Sequence, residues 1–589
     1  MNISKKLPWV LAASIALMVS CSDKFLEPKP ESFFTPENLF VNKAGYNAML
    51  INMRKDLNRE HTGQKNFMAH QWAASEAGVP WLQMDFRALT PNSDMYQQFV
   101  VQINDIFQMV KNANTVISRI DNITWENEND KNQILGEALW HRAYWYYRLI
   151  GNYGDLPFIK EEVRGAKLDF NTHSRWAILK QIQQDTEFAA QWLPEKTAAG
   201  APSKGAANHL LTKIYLANLE FEKAIESADR VINGPYKLMT TRFGVDAADS
   251  KKNIIWDLHR PENKNIAANT ETILAFVDRW EAAVEARSAG LFTMRVYHCS
   301  WWNNVNAKDK NKALGMVDNG PLYDSLGRGN PDVALSDWHS YRIWENGTEN
   351  YKTTSDLRRA DINWFDREEF RYNNPASAQY GEPFDPKNMD LPSEYWARIY
   401  PMPIYKTYVP KKPDQPGQPL GSNGDWYIFR LAETHLLKAE AYFWLGRLQD
   451  AANEINVVRA RANAKPVTAA DITLDFIFDE SARELFAESP RQNELNRVSY
   501  ILAKRNERGY SLENLHEKNY FYDRVSKNND FYLRSSEVNS LGQNPNIQPF
   551  HFQWPISDPI VNSNTLGRIN QNKGYVGSAN NVPALETIE

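Results

Sequence analysis

Two stretches of this 589-residue chain combine rigid aromatic rings with short polar side chains, the pairing a ligand platform needs. Gly78 to Asp94, GVPWLQMDFRALTPNSD, offers Trp81, Asp85 and Arg87. Tyr297 to Asn304, YHCSWWNN, offers Tyr297, Trp301, Trp302 and Asn303. Indole and phenol rings present flat apolar surface, which suits the C–H face of a cyclic polyol. Carboxylate, amide and guanidinium groups beside them can bond the hydroxyls, and the charge-assisted bonds are the stronger ones. Adjacent residues of an extended run point opposite ways, so one of Trp301 and Trp302 is expected buried and the other available. Trp338 and Tyr341 could line the same platform or, with Trp344, pin the surrounding loops to the body.

Other chemistries lack their patterns. With only Cys21 and Cys299 there is no CxxC, no HExxH occurs, and the histidines are scattered, so zinc-ligand spacing is missing. No GxxxxGK[ST] or GxSxG is present, and no GxGxxG opens a helix after a strand. Two carboxylates ~5–10 Å apart leave no local signature, so a surface glycoside hydrolase stays open as an alternative, although nothing marks a catalytic pair. No cofactor is expected, while a structural calcium ion stays open. The balance of 67 basic against 72 acidic residues excludes a strongly basic nucleic-acid binder. Mean hydropathy is −0.58 despite 19 Trp and 26 Tyr, so many rings must be partly exposed.

The element that must organise the rest runs from Ile134 to Ile159. Leu135, Ala138, Leu139, Arg142, Tyr146 and Leu149 share one helical face, and Trp140, Tyr144, Trp145 and Tyr147 extend it most of the way round. A helix apolar on nearly every side is a buried central element, so these aromatics are core. Gly151 and Gly154 are expected to end it before Pro157. Arg142-Ala143-Tyr144, Tyr146, Leu149 and Tyr153-Gly154-Asp155 with Pro157 form R-A-Y-x-Y-x-x-L-x-x-x-Y-G-D-x-P, which closely resembles the hallmark of the SusD/RagB family. Those are surface glycan-binding outer-membrane lipoproteins of Bacteroidota.

Residues 1–20 read as a signal peptide: Lys5 and Lys6, an apolar run from Leu7 to Val19, then Ser20 before Cys21. MVSC resembles a lipobox, which implies lipidation of Cys21; plain secretion with a Cys21–Cys299 disulfide is the alternative. Residues 21–41 form a tether and extended segment. There FLEPKPESFFTPENLF resembles the family's N-terminal signature, and Pro28, Pro30 and Pro36 keep helix out until Glu37. Residues 42–236 form an N-terminal helical-repeat part. Helices are expected over Asn42 to about Arg59, Tyr96–Ile120, Trp176–Leu193, Ala207–Leu219 and Phe221–Ile232, with Trp72 in the core. A shift of 227 brings Leu210, Tyr215, Phe221, Ala224 and Val231 onto Leu437, Tyr442, Leu448, Ala451 and Val458, which reads as a tetratricopeptide-like repeat.

Residues 237–426 lose that periodicity and read as an irregular, loop-rich insert with short β-rich runs at Asn253–Leu258 and Thr272–Val277. Residues 427–589 return to helix as the C-terminal part of the same single domain. Arg430, Ala432, Glu433, Leu436, Ala439, Glu440 and Ala441 resemble a second family signature. Glu480, Arg483, Glu484, Leu485, Glu488, Arg491, Leu495 and Arg497 resemble a third, with Ser481, Pro490 and Glu494 departing from it. Gln553 to Tyr575 resembles a C-terminal one, with Asp558 and Lys573 departing. Charged residues of these signatures are expected to be structural ion pairs.

The fold expected is mainly α, a tetratricopeptide-like scaffold with a large irregular insert. The resemblance implies a non-enzyme that binds oligosaccharide or polysaccharide at the extracellular face of the outer membrane. It also implies a partner, a SusC-like TonB-dependent transporter barrel that takes up the captured glycan. Some members of the family pair with peptide importers, so a peptide-binding receptor is a further alternative.

Overall fold

The computed structural model describes residues 35–63, 66–80, 89–92, 98–300, 308–389, 404–533 and 547–589. Helices dominate: α1 (Lys43–Asp56), α2 (Phe67–Ala73), α3 (Gln98–Arg119), α4 (Glu128–Tyr153), α5 (Arg175–Trp192), α6 (Lys204–Ala217), α7 (Phe221–Ile232), α8 (Leu431–Trp444), α9 (Leu448–Arg461), α10 (Leu474–Leu485), α11 (Arg491–Lys504) and α12 (Tyr520–Asn528). The described strands form two antiparallel pairs. One joins β1 (Gly78–Pro80) to β3 (Val333–Leu335), and the other joins β2 (Thr272–Phe276) to β4 (Trp426–Arg430). The chain is mainly α, with its helices antiparallel in sequence-adjacent pairs.

The hallmark helix is the centre. α4 starts where the Asn127 carboxamide oxygen accepts the Asp130 N–H at 2.7 Å, an N-cap that satisfies an otherwise orphaned donor. It packs against α1, α3, α5 and α11, and its aromatics are buried as expected, with Trp140 stacked on Tyr144 at 5.2 Å. Gly154 ends it at φ +67, its N–H returning to the Ile150 carbonyl. A Cβ there would also sit 1.9 Å from Gln553 Nε2. Gly151 does not end the helix. It lies inside α4, where a Cβ would meet the Asn493 side chain at 2.5 Å, so its small size serves the crossing with α11.

The shifted repeat is visible as packing. α6 and α7 form one hairpin, α8 and α9 the other, and α7 lies directly against α8, with Phe221 stacked on Trp444 at 5.8 Å. Ala224 and Ala451 are fully buried, the small-residue pattern that lets stacked helix pairs approach. The long run between α7 and α8 therefore loops out from a continuous helical stack and returns to it. Two expectations need correction. Asn253–Leu258 is not a strand, because the Asn253 side chain caps the N–H groups of Ile255 and Trp256, both at 3.0 Å, and nucleates helix Ile254–His259. The return at Tyr427 begins with β4, and helix α8 starts only at Leu431.

A buried ion network fastens the loop-rich run to the stack. Arg430 on β4 reaches Glu271 at 2.5 Å, Glu484 at 2.6 Å and Glu488 at 2.9 Å. Arg358 binds Asp356 at 2.6 Å, Glu480 at 2.8 Å and Glu484 at 3.0 Å. Arg459 and Arg461 on α9 join the same carboxylates, and Lys406 holds Glu488 at 2.7 Å. Burial works against ionisation of Glu480, yet Arg358, Arg459 and Arg483 outweigh it and hold its carboxyl near about 2. Removing one partner of such a buried set strands the rest, so Arg430→Met should lower unfolding free energy by about 3–5 kcal/mol, read by urea denaturation.

Acid should act through buried histidines as well. Burial holds His61, His141 and His339 near about 3, far below the ordinary 6.5. Between those values the unfolded chain binds protons that the folded chain refuses, so stability falls as pH drops. Glu480 adds to the loss once pH passes below its unfolded value of 4.5. The thermal midpoint should decline steadily from pH 6.5 to pH 3; a midpoint unchanged at pH 4 would contradict this.

Candidate functional site

The two aromatic stretches leave the body from neighbouring anchors. β1 forms the first three residues of the Gly78–Asp94 stretch and pairs with β3 in the register Gly78↔Leu335, Val79↔Ala334 and Pro80↔Val333. The short helix Thr293–Tyr297 leads into the second and packs on the same β3. Asn330 donates its N–H to the Arg295 carbonyl at 3.0 Å, and Ser336 donates to Ala77 at 2.9 Å. Residues 327–336 therefore tie both roots together.

The root of β1 is nailed down by charge. Glu76 is fully buried and pairs with Arg491 at 2.5 Å and Arg524 at 2.6 Å. Burial pushes its carboxyl up, but the two guanidiniums outweigh that and leave it near about 2. Asn529 donates to the carbonyls of Ser75 at 2.9 Å and Gly78 at 2.6 Å. The role of Glu76 escapes a sequence reading, because its partners lie more than 400 positions away and it belongs to no motif.

Of the candidate ligand residues, Trp81, Asp85, Arg87, Trp301, Trp302 and Asn303 lie outside the described residues, as does Cys21. The other three are placed. Tyr297 is buried, edge-on to Phe486 at 5.4 Å, and burial drives its phenol pKa up. Trp338 is buried with the Arg524 guanidinium 5.5 Å from its ring centroid. Neither offers an open ring face, so both are corrected from platform to packing: the anchors of the loops needed apolar filling. Tyr341 is half-buried and meets Tyr351 edge-to-face at 4.8 Å. Trp344 and Trp364 are buried and brace the insert locally, donating their indole N–H groups to the carbonyls of His339 at 2.9 Å and Arg358 at 2.8 Å within it.

The charged residues of the signatures are ion pairs in the body. Arg497 grips Glu440 through two bonds of 2.7 Å, and Lys213 bridges Glu433 and Glu494. Among the described residues no group of three or more His, Cys, Asp or Glu side chains is placed to hold a metal ion.

A stacked helical-hairpin body with a loop-rich insert joined to it through two small strand pairs is a fold of the SusD type. The model described as the SusD family matches residues 302–575, and one described as starch-binding associating with outer membrane matches residues 24–216. The chain belongs to the SusD/RagB family. It is 28% identical over 241 residues to SusD-like protein P2 of Formosa agariphila, covering 39% of this chain and 46% of that one. It is 21% identical over 359 residues to a SusD-like protein of Bacteroides ovatus, covering 59% and 63%. In each case the chain spans less than two-thirds of the relative's length. Similar solved structures include NanU of Bacteroides fragilis, with TM-score 0.62 and 16% identity over 93% of this chain and 100% of that one. A laminarin-binding SusD-like protein gives TM-score 0.60 and 18% identity over 91% and 100%. At such identities these structures bear on the fold alone.

Packing and platform roles separate by mutation. Trp338→Ala should lower unfolding free energy by about 3–5 kcal/mol, whereas Tyr341→Phe, which keeps the ring, should change it by less than about 0.5 kcal/mol. Denaturant unfolding of the two variants checks both.

Proposed function

We propose that this protein is a non-catalytic receptor that binds oligosaccharide or polysaccharide at the outer face of the outer membrane and passes it to a SusC-like TonB-dependent barrel. The observation that carries the reading is the common root of the two aromatic stretches. Roots fixed by β1, β3 and the Glu76 ion pairs need no further ordering on binding, and ordering costs of that kind are what subtract from affinity. The membership in the family and the match to a model described as starch-binding associating with outer membrane support the ligand class. Trp81, Trp301 and Trp302 would supply the stacking surface, and Asp85, Arg87 and Asn303 the hydroxyl contacts. Cys21 would carry the lipid that holds the body at the surface.

The test is affinity electrophoresis of the soluble chain from residue 22 through gels carrying plant, fungal and host polysaccharides. One glycan should retard the protein and keep its length. Trp81→Ala and Trp302→Ala should each weaken that retardation at least tenfold, about 1.4 kcal/mol. Shortening of the glycan would replace this reading with a hydrolase. Retardation by no glycan would turn it towards the peptide ligand.

A further inference from the structure

The described chain begins near a groove that nothing described fills. One guanidinium, that of Arg119, binds Glu37 through Nη2 and Glu162 through Nε, both at 2.8 Å. The chain therefore enters the body beside Glu162. That residue lines a groove of about 500 Å³ between Phe158–Lys167 and the last residues, Leu585 and Thr587–Glu589.

Both walls are firmly held. On one side Asn114 and Arg142 donate to the carbonyls of Ile159 and Lys160 at 2.7 and 2.8 Å. On the other, Leu585 exchanges backbone bonds with Thr172 and Ser174 at 2.9 and 2.8 Å, and the Ser174 hydroxyl binds Glu586 at 2.7 Å. The lining is amphipathic. Phe158, Phe170 and Ile588 give it an apolar part, while Lys160, Arg164 and Lys167 stand among the acidic Glu161, Glu162 and Glu589. Arg164 pairs with Glu162 at 3.0 Å and Lys167 lies 3.9 Å from Asp169, whereas Lys160 has no ion-pair partner among the described residues.

We propose that this groove is the dock of the chain's own stretch Phe25–Phe34, FLEPKPESFF. Four arguments select it over a free ligand. The stretch joins the body at Thr35, two residues before Glu37, which shares Arg119 with Glu162 of the groove. Ten extended residues reach up to roughly 33 Å, and Pro28 and Pro30 keep the stretch from coiling into helix. Phe33 and Phe34, next to the entry point, match the apolar lining, while Glu27 and Glu31 offer carboxylates to Lys160. A short tether holds its segment at an effective concentration on the order of millimolar, so a dissolved peptide of like composition competes poorly. Docking would also fix where the chain leaves the body towards Cys21, and so which face of the body hangs nearest to that residue. The inference does not depend on what the aromatic loops bind.

Hydrogen exchange on the soluble chain from residue 22, compared with a chain starting at residue 35, tests it. Deleting the stretch should speed exchange at least tenfold in 158–170 and 585–589 and leave α8 to α11 unchanged. Glu27→Lys with Glu31→Lys, which keeps the length, should give part of the same increase. A disulfide test stands apart from any truncation: Phe33→Cys with Ile588→Cys should close on mild oxidation, and Phe33→Cys with Val245→Cys, exposed in the insert, should not. Unchanged exchange in both groove walls, or equal closure of the two cysteine pairs, would overturn the proposal.

Discussion

Arg430 and the carboxylates around it decide how the two unlike parts of this protein meet. Glu271 comes from the loop-rich run, Glu484 from α10 and Glu488 from the turn after it, and one buried guanidinium on β4 holds all three. Exchanging a buried ion pair for apolar residues often leaves stability unchanged or improved, whereas stranding one partner is severe. The network is therefore best understood as a device of register: it penalises every docking of the insert in which a charge goes unpaired. Arg358 and Lys406, also from the insert, meet Glu484 and Glu488 in the same cluster. An apolar contact surface alone would tolerate sliding of irregular loops over helices.

From that register follows the position of the roots of the two aromatic stretches. β3 belongs to the insert and β1 to the N-terminal helical part, so their pairing requires the insert to sit correctly on the stack. Glu76 repeats the principle at smaller scale, fixing the root of β1 to α11 and α12 through Arg491 and Arg524. Rigid elements under a binding surface allow binding with little reorganisation.

What the sequence makes legible is what local periodicity encodes. The hallmark helix, the Phe221–Ile232 helix and the repeat under a shift of 227 all follow from side chains spaced by three and four, and the stack packs as that spacing implies. Asn253–Leu258 was misread because two isoleucines and a tryptophan favour strand, while the outcome rested on one Asn side chain reaching two backbone N–H groups. Gly151 looked like a helix end, yet a glycine also permits close approach, and only the presence of Asn493 tells the two apart. Tyr297 and Trp338 show the corresponding limit for sites. An aromatic residue beside polar neighbours reads the same whether its ring faces solvent or fills the anchor of a loop, and the partners that bury it, Phe486 and Arg524, are far away in sequence.

The central claim is that the two aromatic loops, rooted on one sheet, form one ligand surface. A double-mutant cycle measures this directly: calorimetric titration of the retarding polysaccharide into the native chain, Trp81→Ala, Trp302→Ala and the double variant. Residues sharing a partner couple by about 0.5–3 kcal/mol, whereas independent sites add to within about 0.3–0.5 kcal/mol. A single surface predicts coupling in the first range. Strict additivity, or a variant without effect on affinity, would contradict it.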